Sequence, residues 1–173
     1  KTFPTIKELA RADLNKVLKA WEGMGYYARA RNLHTSAKII IKEYKGIIPG
    51  EKKNFLKLPG VGEYIASAVL SIAFGHAHAV VDGNVKRVLA RIFRIDSPIN
   101  QSKSHIVFKQ EATRLMGNAD SANFNQAIME LGALICSPKK PNCKPCPIHQ
   151  NCFAFLHHMT DQFPKRIKSK PVP

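Results

Sequence analysis

Four cysteines are spaced Cys136-x6-Cys143-x2-Cys146-x5-Cys152, and the chain has no others. A disulfide framework spreads its cysteines through a small secreted domain, so this tight grouping points instead to a metal centre in a reducing compartment. Structural zinc sites normally use two short knuckles, and here only Cys143 and Cys146 are closely spaced. Ferredoxin spacings are shorter. Four thiolates in one compact loop suit a cubane 4Fe-4S cluster with one ligand per iron. Protein ligands would fill every position, so such a cluster is no open Lewis acid. Its default role is structural, fixing a loop in which Lys139, Lys140 and Lys144 can face a polyanion.

Two further stretches can do chemistry. In Leu58-Pro59-Gly60-Val61-Gly62-Glu63-Tyr64, the proline stops one helical pattern and the glycines permit a tight turn before the next, at 65–74. Backbone amides opening that second helix can hold a phosphate oxygen without reading sequence, although an ordinary interhelical turn has the same outline. In Val80-Val81-Asp82-Gly83-Asn84-Val85-Lys86-Arg87, Asp82 or Asn84 can cap a helix whose buried stripe is Val85, Val88, Leu89 and Ile92. The same Asp82 carboxylate can stabilise positive charge developing on a sugar, while Lys86 and Arg87 grip flanking phosphates.

These residues need a scaffold, and the pattern is helical throughout. Leu9, Leu14, Val17, Leu18 and Trp21 recur at helical intervals, as do Leu33, Ala37, Ile40 and Ile41, while strand-like alternation is missing. The expectation is an all-α chain, with a last helix at 121–135 whose apolar stripe is Phe124, Ala127, Ile128, Leu131 and Leu134. The 173 residues, 45% hydrophobic, are enough for a real core. A formal net charge of +15 is far beyond what solubility requires and favours nucleic acid as partner. No apolar run approaches the roughly 18 residues of a membrane span. Beyond Ser137, seven Lys or Arg against one acidic residue, with several prolines, read as a solvated basic linker.

Together these motifs resemble the helix-hairpin-helix DNA glycosylase superfamily. Leu58-Pro59-Gly60-Val61-Gly62 with Asp82 resembles its hairpin and downstream aspartate, and the cysteine loop resembles the 4Fe-4S loop of the endonuclease III and MutY branch. Gly23-Met24-Gly25-Tyr26-Tyr27-Ala28-Arg29-Ala30-Arg31-Asn32-Leu33, the Asp82 segment and Asn123-Phe124-Asn125-Gln126-Ala127 look like MutY-type adenine glycosylases. The likeness implies a helical core at 1–135 with the helix-hairpin-helix near 52–75, a 4Fe-4S loop at 136–155 and a basic tail at 156–173. It also implies a DNA backbone contact at Leu58, Gly60, Val61, Gly62, Lys86 and Arg87.

The implied reaction removes adenine mispaired with 8-oxoguanine or guanine from double-stranded DNA, by a monomer in a reducing compartment, the nucleoid-associated cytoplasm if bacterial. Asp82 would be catalytic, with Asn84 and Tyr64 positioning it or the flipped nucleotide. Bifunctional relatives carry a lysine two residues after the hairpin's last glycine. Tyr64 stands there, and a phenol forms no Schiff base, so water would be the nucleophile. The family's early-helix glutamate and its C-terminal recognition domain have no counterpart, and Glu8, Glu22 and Glu63 lie in no matching motif; the chain therefore reads as a fragment. Rival readings are a DNA-binding but inactive fragment, a thymine or oxidised-pyrimidine mismatch glycosylase, and, more remotely, a redox protein.

Overall fold

The computed structural model describes residues 2–168, which are helical and irregular with no strand among them. The chain divides into two compact units, Lys1–Ala66 and Ser67–Pro173.

In the first unit, short helices lean on one long one. A capping box opens α1 (Ile6–Arg11): Thr5 Oγ1 accepts from the Glu8 amide at 3.2 Å, and Glu8 accepts from the Thr5 amide at 3.0 Å. Asp13 caps α2 (Leu14–Ala20) through the Asn15 amide at 2.8 Å. The long helix α3 (Tyr27–Glu43) buries Ala30, His34, Ala37 and Ile40 at helical intervals, and His34 Nε2 meets the Ala12 carbonyl at 3.1 Å. Between α2 and α3, the turn is stapled by Trp21 Nε1 donating to the Gly25 carbonyl at 3.0 Å, with the Arg29 guanidinium 5.4 Å over the indole. A single helical turn, α4 (Lys52–Phe55), leads through buried Phe55 and Leu58 into α5 (Glu63–Phe74).

The second unit is built around α6 (Gly83–Phe93), whose Val85, Val88 and Leu89 are fully buried, as its sequence stripe predicts; Ile92 is half-buried. They pack with Phe108, Ala112 and Met116 of α7 (His105–Met116) and Ile128 of α8 (Ser121–Glu130). The helix expected over 121–135 changes pitch part-way. From Leu131 to Ile135 it widens into a π-helical turn, in which the Cys136 amide donates to the Leu131 carbonyl at 2.7 Å. The buried face is shifted from the expected stripe. Ile128 is buried and Phe124 and Leu131 pack half-buried against the core, whereas Ala127 and Leu134 are exposed along an open apolar groove. Polar Asn125 takes a fully buried place on this face because it satisfies three buried groups, described below.

A 3₁₀ turn (His149–Asn151) and a short helix α9 (Phe153–Leu156) close the cysteine loop. The tail expected to be a solvated linker is instead a docked strap as far as Ile167. Phe163 is buried, the Ile99 amide donates to the Lys165 carbonyl at 3.0 Å, and Asn100 exchanges two hydrogen bonds with the Ile167 backbone at 2.8 and 3.0 Å. Composition pointed to linker because the lysines and prolines outnumber the one large apolar residue that anchors the segment. Residues 169–173 lie outside the described residues.

Candidate functional site

Asp82 sits at the end of an extended connector, 75–81, which three side chains hold in place. Asn125, with no exposed surface, accepts from the Val80 amide and donates to the His78 carbonyl and Ser71 Oγ, each at 2.8 Å. Ser121 Oγ donates to the His76 carbonyl at 2.8 Å, and the Lys109 ammonium donates to the Ala79 carbonyl. Satisfying this buried backbone fixes where α6 begins. Asp82 is the N-cap: its Oδ1 accepts from the Val85 amide at 2.7 Å, and the side chain remains half-exposed. The capping role and a site role are compatible, because the cap uses one carboxylate oxygen and fixes the direction of the other.

Asn84, in the first turn of α6, is half-buried. Its Oδ1 accepts from Arg87 Nη2 at 2.9 Å, and a Cβ on Gly132 would stand 2.8 Å from Asn84 Cβ, so glycine is what lets the π-helical turn reach α6. Arg87 is 6% exposed and donates to the Cys136 carbonyl at 2.7 Å and the Gly132 carbonyl at 2.6 Å. Burial lowers its pKa, with the neighbouring Arg91 charge acting the same way and Cys136 and Asp82 opposing. The expected phosphate grip by Arg87 therefore does not hold, since its guanidinium is spent inside the unit. Lys86 is half-buried, donating to the Ile99 carbonyl at 3.1 Å with its ammonium 5.9 Å from the Phe108 ring centre. It too is committed internally.

The hairpin turn is organised differently. Leu58 is 4% exposed and anchors the turn from inside, so its side chain is no DNA contact. Gly60 has φ +74°, and a Cβ there would fall 2.4 Å from Asn32 Nδ2, so the position demands glycine on both counts. The Val61 amide closes the turn on the Leu58 carbonyl at 3.1 Å. Gly62 contrasts with Gly60. Its φ is not positive and a Cβ would meet nothing within 4 Å, so neither conformation nor packing requires glycine there. The turn is therefore uncrowded on the side from which α5 begins. Tyr64, on that first turn, is 45% exposed.

All four cysteines are free thiols and line one largely apolar cavity, together with Val88, Ile92, Ile135 and Phe155. Burial raises the pKa of Cys143, and neighbouring Cys136 and Cys152 add to it; burial raises that of Cys152 as well, tempered by the Phe155 and Ala154 amides. The thiols are thus within electrostatic reach of one another. Among the described residues, no three His, Cys, Asp or Glu side chains converge closely enough to hold a single metal ion. Four soft thiol donors lining one apolar cavity fit a thiolate-held metal centre.

The helical scaffold, the glycine hairpin and the capped aspartate define a class. The chain matches the HhH-GPD superfamily of base excision DNA repair proteins over residues 1–112, and it belongs to that family. Past that stretch, similarity continues. It is 37% identical over 171 residues to the adenine DNA glycosylase of Buchnera aphidicola subsp. Acyrthosiphon pisum, covering 99% of this chain and 49% of the relative. It is 43% identical over 156 residues to the human adenine DNA glycosylase, covering 88% and 28% respectively. The chain spans about half the length of the Buchnera relative. Among solved structures, a thermostable thymine-DNA glycosylase superposes with a TM-score of 0.80 at 30% identity, over 90% of this chain and 72% of that one. Endonuclease III trapped as a covalent intermediate with DNA superposes with a TM-score of 0.76 at 24% identity, over 91% and 73%, and speaks for the fold. Among the described residues, no helix is long and apolar enough to cross a membrane.

Asn125 is the residue that sequence reasoning underused. It stood within a family-like stretch, but its role in holding the Asp82 connector had no local signature.

Proposed function

We propose that this chain is the core of a monofunctional adenine DNA glycosylase that hydrolyses the N-glycosidic bond of adenine opposite 8-oxoguanine or guanine in duplex DNA. The observation that carries the reading is Asp82, held half-exposed as the cap of α6 by a connector whose backbone is tied down by Asn125, Ser121 and Lys109. A base-excision enzyme extrudes its target base, which costs least at a mismatch. As the bond to the base lengthens, the sugar gains positive charge, and a fixed carboxylate stabilises that charge without reorganising. The amides after Gly62 hold a backbone phosphate, which gives register without sequence preference. Tyr64 offers no amine, so water completes the displacement and no covalent enzyme–DNA adduct accumulates.

We assign Cys136, Cys143, Cys146 and Cys152 as ligands of a 4Fe-4S cluster. When bound, the cluster cross-links the loop through its thiolates and supplies a redox-active centre. The chain's own contribution is the apolar wall that limits solvent access and the exposed Lys139, Lys140 and Lys144 on the same loop. The assignment predicts brown protein with about four irons per chain; one zinc and no iron in anaerobically prepared protein would overturn it.

The decisive experiment measures adenine release from an A:8-oxoguanine duplex by this chain joined to a family N-terminal segment carrying the glutamate. Release should occur, and Asp82→Asn should reduce the rate by about 10²–10³ or more while DNA binding persists, as expected when one preorganised electrostatic group is lost. Borohydride should trap little covalent complex. Full activity in Asp82→Asn would leave Asp82 only its capping role. The likeness to a thymine-DNA glycosylase favours a second reading, and thymine release from a T:G duplex in place of adenine release would select it.

A further inference from the structure

One buried charge has no part in the scheme above. Arg91 is 2% exposed and takes part in none of the ion pairs among the described residues. Its guanidinium stays protonated in any protein environment. A buried charge needs compensation, and carbonyl dipoles supply part of it. Nε donates to the carbonyls of Thr160 at 3.2 Å and Phe163 at 3.0 Å. Nη1 donates to the carbonyls of Ser137 at 2.8 Å and Cys136 at 3.5 Å, and Nη2 to that of Pro138 at 3.1 Å. The remaining contact differs in kind: Nη1 lies 3.2 Å from Cys136 Sγ. Of all the partners, this sulfur alone can carry a formal negative charge. It does so when deprotonated as a metal ligand. The contacts also sort by place, because Nε holds the strap, while Nη1 and Nη2 hold the start of the cysteine loop.

We infer that Arg91 is the counter-charge of the cluster's Cys136 thiolate and couples strap to cluster, so that a loaded cluster and a docked strap, 160–167, stabilise each other. The inference rests on the iron–sulfur assignment. With the cluster in place, the thiolate neutralises the guanidinium, and the planar fork is fixed in the orientation that presents Nε to Thr160 and Phe163. Without it, no cluster charge faces the guanidinium, which is held by the carbonyl dipoles alone. The strap is then the part that can give way, since its outer anchors are few: the Ile99 amide, the Asn100 side chain and buried Phe163. Arg91 is therefore a positioning residue acting through the cofactor.

The test uses the whole chain, reconstituted with iron and sulfide or left without them, and needs no DNA. Lys165 and Arg166 place trypsin sites in the strap. Cleavage there should be at least several-fold slower in loaded than in iron-free wild type; equal rates would overturn the coupling. Asn100→Ala should speed strap cleavage and, measured by visible absorbance in air, shorten cluster lifetime several-fold, with the midpoint potential unchanged. Faster cleavage with wild-type cluster lifetime would also overturn it. Arg91→Met should lower the cluster's midpoint potential, because removing a nearby cation disfavours the reduced form with its extra electron. Arg91→Lys keeps the charge, so its potential should stay near wild type although its strap is cleaved faster. Wild-type potentials in both variants would remove the counter-charge role. If Arg91→Met fails to fold, the loaded against iron-free comparison and Asn100→Ala still decide the coupling. Wild type that takes up no iron would sink the iron–sulfur assignment itself and is read separately, from iron and sulfide content.

Discussion

The hairpin turn and the cysteine loop are both irregular backbone, yet they are organised in opposite ways. In the hairpin, Gly60 is consumed by packing against Asn32 while Gly62 leaves open space before α5. In the cysteine loop, carbonyls of Gly132, Cys136, Ser137 and Pro138 are all taken by two buried arginines. One segment keeps an uncrowded, exposed glycine at its surface. The other is finished from within, and its outward face is left to exposed lysines.

The contrast can be broken most forcefully at Arg87. Arg87→Met strands the buried Gly132 carbonyl, at about 1–3 kcal/mol for an unsatisfied group, leaves the Cys136 carbonyl only its 3.5 Å bond from Arg91, and removes the donor to the Asn84 amide group. Chemical denaturation should show a loss of about 3 kcal/mol, whereas a variant of wild-type stability and weaker DNA affinity would restore the phosphate-gripping role. Next in size is Gly60→Ala, which meets both a left-handed backbone, worth about 1–2 kcal/mol, and the Asn32 side chain. The melting temperature should fall. Its neighbour sharpens the point, because Gly62→Ala should leave stability within about 0.5 kcal/mol yet weaken duplex binding several-fold in a titration. Were both alanine variants equally destabilised, the two glycines would not differ in kind. Smallest is the salt response: Lys144→Ala should reduce the slope of log affinity against log salt by about one, and Lys86→Ala should leave it unchanged.

Much of this was legible in the sequence, for identifiable reasons. The hairpin, the α6 stripe and the cysteine spacing are local patterns, each set by residues a few positions apart. What escaped was decided by distant partners. Arg87 adds to a strongly basic composition and looks like DNA-facing charge, and Arg91 carries no local signal of its own, but their acceptors lie at the cysteine loop and the strap, more than forty residues onward. Asn125 was hidden similarly, since its acceptor and donor groups meet a connector far upstream in the chain. The strap was misjudged because one buried phenylalanine counted for little against several lysines and prolines.

The π-helical turn at Leu131–Ile135 makes the arginine clasp possible, and it makes the segment intolerant of a change in length. In a regular α-helix the Cys136 amide would bond the carbonyl four residues back, that of Gly132. Here it bonds Leu131 instead, which releases the Gly132 carbonyl for Arg87. Deleting one residue from the turn would restore ordinary pitch, reclaim that carbonyl, and swing Cys136 about 100° around the helix axis. Substitutions on the exposed side of 131–135 can accumulate freely; insertions and deletions there cannot.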